Sequence, residues 1–91
     1  MMIRGKSFKA VAMDIAEGYV AINPIFLKPL DEESLKGLYQ EVTKVQSEIR
    51  GERFPHTDTQ AIRLRNTRLQ RLHSASMIIR NFARERRILL F

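Results

Sequence analysis

The 91-residue chain has no cysteine and no tryptophan, four glycines, three prolines, and aromatic residues at only 8%. Without cysteine there is no disulfide framework, no thiolate metal site and no thiol nucleophile. The glycines, at positions 5, 18, 37 and 51, are isolated, so no glycine-rich phosphate loop can form. Nothing approaches the roughly 18 consecutive apolar residues of a membrane span. Arg4, Lys6 and Lys9 precede an apolar run over 10–13 in the manner of a leader peptide, but Asp14 ends it after four residues. The expectation is a soluble, cytoplasmic protein that does not engage a membrane. Repeats, low-complexity tracts and Gly/Ser linkers are also missing, and a chain this short holds one domain at most.

What is present is charge, unevenly placed. The formal net charge is +6, from 16 Lys and Arg against 10 Asp and Glu. Residues 1–50 carry seven bases and seven acids, so the whole excess lies in 51–91. All nine bases there are arginine: Arg53, Arg63, Arg65, Arg68, Arg71, Arg80, Arg84, Arg86 and Arg87. Arginine makes bidentate contacts to carboxylates and phosphates and tolerates partial burial better than lysine. Solubility alone does not require that choice.

Hydrophobic patterning predicts an α+β protein, mainly α, in which a β-hairpin precedes an antiparallel αα-hairpin. Residues 7–23 read as the β-hairpin: Val11, Met13 and Ile15 alternate, Gly18 supplies a turn, and residues 19–22 have strand composition. A helix competes there, with Ser7 as N-cap, Phe8, Val11, Ala12 and Ile15 at helical spacing, and Gly18 as terminator. Pro24 and Pro29 hold residues 23–30 extended. Helix 1 occupies 31–50, capped by Asp31, with Glu32 and Glu33 in its first turn. Leu35, Leu38, Val42, Val45 and Ile49 step by 3, 4, 3 and 4 residues, a coiled-coil-like seam that Gly51 ends. Thr57, Asp58, Thr59 and Gln60 form a capping-box pattern, and helix 2 runs over 57–87, leaving an apolar tail at 88–91.

The two helices are unequal, at roughly 29 and 45 Å. Folded back antiparallel, helix 1 reaches only to about position 75 of helix 2. Ile79, Phe82, Ala83 and the tail residues Ile88, Leu89, Leu90 and Phe91 then lack a partner from helix 1. Either the N-terminal hairpin or a second chain must cover them. The expectation is a homodimer, or a protein partner, held through these residues.

The arginines divide by helical angle. Arg65, Arg68 and Arg86 fall within the apolar arc, where Glu41 and Glu48 of helix 1 would pair with Arg65 and Arg68. Arg63, Arg71, Arg80, Arg84 and Arg87 fall outside it, among Gln, Asn, Ser and Thr. They are the candidate contacts to an anion or to nucleic-acid phosphates. Phe54, Phe82 and Phe91 do not interleave with them as a base-stacking platform would.

Catalytic and metal constellations are weak. His56 and Asp58 lack a third ligand at useful spacing, and His73 and Ser74, adjacent on a helix, diverge. Asp14 reads as an edge-strand charge. No cofactor, no metal and no enzymatic activity is expected. The reading is a small non-catalytic binding or assembly module engaging a protein partner. A phosphate-contacting nucleic-acid binder is the first alternative, and a small enzyme with a dimer-interface site the second.

Overall fold

The computed structural model describes residues 2–3, 5–53 and 57–90. Phe54, Pro55, His56 and Phe91 lie outside the described residues, as does any part for them in a loop, metal site or interface. Two-residue strands β1 (Met2–Ile3) and β2 (Lys6–Ser7) pair antiparallel around Gly5. Helices α1 (Phe8–Glu17), α2 (Pro24–Leu27), α3 (Glu32–Gly51) and α4 (Thr59–Glu85) follow.

The β-hairpin expected over 7–23 is instead the helix α1 and an irregular segment leading to α2. Period-two alternation predicts Met13 inside with Val11 and Ile15, yet Met13 is 43% exposed while Ala12 and Ala16 are buried. The buried set of Phe8, Val11, Ala12, Ile15 and Ala16 has helical spacing. Both ends are also closed locally. The Ser7 side chain accepts a hydrogen bond from the Ala10 N–H at 3.1 Å. At the other end Gly18 adopts φ 83°; its N–H donates to the Ile15 carbonyl and the Tyr19 N–H to the Asp14 carbonyl. That is a Schellman closure, which needs the left-handed backbone glycine supplies. Asp14 is therefore a helical residue, paired with Lys6 at 2.6 Å, and not an edge-strand charge.

Residues 23–30 are not simply extended either. Asn23 accepts from the Phe26 N–H at 2.8 Å and Pro24 occupies the first turn, where a missing N–H costs nothing. The resulting turn of helix buries Phe26 and Leu27. In α3, Asp31 accepts from the Ser34 N–H at 2.7 Å. Hydrogen bonds from Ser34, its hydroxyl ahead of its backbone N–H, hold the exposed Asp31 carboxyl below its ordinary value. The five seam residues are all buried. Gly51 is the last helical residue and not a left-handed cap. Asp58, rather than Thr57, caps α4 by accepting from the Ala61 N–H at 3.0 Å.

α4 sets the 44 Å long axis of the molecule. Beyond the reach of α3, its stripe is covered from within the chain. α1 packs against both α3 and α4, and α2 against α4. Ile79, Phe82, Ala83 and the tail's Leu90 are buried in the same core as Leu72 and Ala75. The residues on which the homodimer expectation rested are thus buried in the chain's own core, where α1 adds to α3 and α2 a helical apolar face broader than a two-stranded hairpin provides.

α1 approaches α3 closely at Gly37, where an added Cβ would lie 2.3 Å from a ring carbon of Phe8. Alanine in a helix interior normally improves stability by about 1 kcal/mol over glycine. Here Gly37→Ala should instead lower it by roughly 1–3 kcal/mol, the range for overpacked sites. Phe8→Leu should recover part of the loss in the double variant. Urea titrations followed by circular dichroism check this; a Gly37→Ala variant more stable than the parent is the contrary result.

Candidate binding groove

α4 carries six of the arginines and the turn that ends it two more, Arg86 and Arg87, and their neighbours sort them. Arg68 pairs through Nε with Glu17 Oε1 at 2.9 Å. Arg71 donates from Nη1 to the Ala16 carbonyl at 3.0 Å. Both cations therefore sit at the C-terminal end of α1, where unsatisfied carbonyls concentrate negative potential. Arg65 Nη2 makes a longer contact, 3.4 Å, with the Arg50 carbonyl in the last turn of α3. Arg86 is exposed, with its guanidinium 4.5 Å from the Phe82 ring centroid, a cation–π contact.

The Arg68 placement corrects one of the expected ion pairs. Arg68 takes its carboxylate from Glu17 of α1, not from Glu41 or Glu48 of α3, because α1 packs along the same side of α4. Glu48 is exposed, and Glu41 is half-buried with an Oε2 that has no hydrogen-bond partner among the described residues. Arg65 contacts a carbonyl of the α3 terminus.

The five candidate anion contacts separate into three places. Arg63 lies with Thr59, Gln60 and Thr67 near the start of α4, about 25 Å along the helix from Arg80 at 1.5 Å per residue. Arg71 lies apart from both, against the C-terminal end of α1. Arg80, Arg84 and Arg87 come together at the other end, around a groove of about 490 Å³. Its remaining walls are Met77, Asn81, Ala83, Ile88, Leu89 and Leu90. The Asn81 side chain accepts from Arg84 Nη2 at 2.7 Å and so orients that guanidinium. None of the three arginines has an ion-pair partner among the described residues.

Of the residues expected at an interface, Ile79, Phe82, Ala83 and Leu90 belong to the chain's own core, and Ile88 is half-buried against it. Among the described ones Leu89 alone is open, at 77% exposure, and Met77 adds a second exposed apolar side chain at 40%. Sequence reasoning missed Met77, and placed Asn81 on the arginine face without a role. Their spacing from Arg84, seven and three residues, carried the signal, since it sets all three on one helical face.

The tail is folded back by a second Schellman closure. The Ile88 N–H donates to the Ala83 carbonyl at 2.8 Å and the Arg87 N–H to the Arg84 carbonyl at 3.1 Å. Arg87 occupies the left-handed position at φ 58°, the one non-glycine residue with positive φ among the described residues. A side chain there costs roughly 1 kcal/mol over glycine. The strain is held by burial of Leu90, and it sets a cation on the groove's rim.

Groups able to do chemistry are sparse. Among the described residues no three metal-ligating side chains gather. His73 and Ser74 are both exposed, and the hydroxyl on the His73 carbonyl belongs to Ser76. No described helix is long and apolar enough to cross a membrane. Comparison of the chain with family models, curated proteins and solved structures gives no match.

Because the left-handed site favours glycine, Arg87→Gly should raise stability by up to about 1 kcal/mol, whereas Arg87→Val should lower it. Thermal melts of both variants decide the point; destabilisation by glycine would show that the arginine side chain contributes more to the fold than its backbone strain costs.

Proposed function

We propose that the protein is a non-catalytic binding module that takes an acidic, partly apolar segment of another protein into the groove at the C-terminal end of α4. The observation that carries this reading is the combination of Arg80, Arg84 and Arg87, all without carboxylate partners among the described residues, with exposed Met77 and Leu89. Carboxylates on an incoming helix or strand can meet the guanidinium groups bidentately while its apolar side chains cover Leu89 and Met77.

Three other readings are weaker on the same observations. A second copy docking through this groove about a two-fold axis would set arginines against arginines. Nucleic acid would use the cations but has no use for Leu89 and Met77, and only three of the five candidate arginines share the surface. An enzyme needs a general base or nucleophile, and arginine is the one ionisable residue type among the described residues lining the groove.

The test uses a fluorescent amphipathic peptide with glutamates at helical spacing, its glutamine twin, and a DNA duplex, each titrated at low and high salt. The glutamate peptide should bind best. The Arg80→Ala/Arg84→Ala/Arg87→Ala variant should lose about tenfold, from three exposed charge pairs of about 0.5 kcal/mol each, and Leu89→Ser several-fold. Tighter binding of DNA, indifferent to Leu89→Ser, would replace this reading with the nucleic-acid one.

A further inference from the structure

A second cavity, of about 470 Å³, lies between α4 and the segment that follows α1. Ile15, Ile22 and Ile78 give it apolar walls, and Arg71, Gln70 and Ser74 stand among its polar lining residues. The volume is within the range of small-molecule pockets, roughly 300–1,000 Å³. It is separate from the arginine groove, with which it shares no residue.

Arg71 is what gives this cavity a chemistry. Its guanidinium is held in place by the Ala16 carbonyl at 3.0 Å. It also lies against the backbone of Gly18, where an added Cβ would come within 2.9 Å of Cζ. Of the five N–H donors an arginine carries, one is used among the described residues. Arg71 has no ion-pair partner among the described residues. A cation fixed by the fold, with donors to spare beside an apolar cavity, loses little freedom on taking up an anion. Gln70 and Ser74 add neutral hydrogen-bonding groups. A second anionic charge on the ligand would meet no further cation among the residues lining the cavity.

We propose that this cavity binds a small organic monocarboxylate with a compact apolar body, its carboxylate on Arg71 and its body against Ile15, Ile22 and Ile78. The site also accounts for Gly18 beyond its backbone angle, since any side chain there displaces the guanidinium.

Naphthalene-2-carboxylate, with naphthalene-2-carboxamide as its neutral twin, is a suitable probe pair for titration of the full chain by amide NMR shifts. The carboxylate should shift residues 18–22 and 70–78, and the carboxamide should bind at least tenfold more weakly. Ala21→Trp, at an exposed lining position, should block binding while the rest of the spectrum stays folded. Arg71→Gln should weaken the carboxylate about tenfold but leave the carboxamide unchanged, which separates loss of the charge from loss of the fold. Arg80→Ala/Arg84→Ala/Arg87→Ala should have no effect. Equal binding of the two probes, shifts confined to residues 77–90, or no shifts at millimolar probe would overturn the proposal.

Discussion

The fold depends on one packing requirement: α4 is longer than α3, and its apolar stripe must be covered along its full length. α1 meets that requirement by lying against both longer helices. It is seated at two ends by different means. At its start, Phe8 enters the space left by Gly37 of α3. At its end, Glu17 and the Ala16 carbonyl receive Arg68 and Arg71 of α4. The apolar contact supplies most of the stabilisation, since burying one large side chain contributes about 1.5–3 kcal/mol and an exposed ion pair up to about 1. The polar contacts fix where α1 stops, and so where the segment lining the Arg71 cavity begins.

This arrangement divides the positive charge by role. Arg65, Arg68 and Arg71 face helix ends or a carboxylate of the chain itself. Arg86 lies over an aromatic ring. Arg80, Arg84 and Arg87 remain on a surface that also exposes Leu89 and Met77. The formal +6 is therefore a poor guide to what a partner meets; the local count at one end of α4 matters more.

The two long helices were legible because their patterns are long and locally consistent. The α3 seam and the Asp31 cap hold as read, and α4 loses only two residues at each end of the range expected for it. α1 was harder, because Val11, Met13 and Ile15 satisfy a strand period while Phe8, Val11, Ala12 and Ile15 satisfy a helical one. Local alternation over five residues could not decide between them; the tertiary demand for a broad apolar face on α4 did. That same misreading made Ile79, Phe82 and Ala83 look like an interface, and it assigned Arg68 the wrong carboxylate. The Arg71 cavity could not be found beforehand, since it is bounded by residues brought together by α1. The cluster of Arg80, Arg84 and Arg87 was legible from helical angle alone, whereas Arg63 and Arg71 were grouped with it because angle ignores position along the axis.

The central claim is that a helix of the same chain covers α4. An isotope-filtered NOE experiment on a mixture of labelled and unlabelled protein tests it directly. Contacts from the Phe8 ring to the Gly37 α-protons, and from Gly18 to the Arg71 side chain, should appear within one chain and vanish from the interchain spectrum. The same contacts appearing between chains, or missing altogether, would contradict the account.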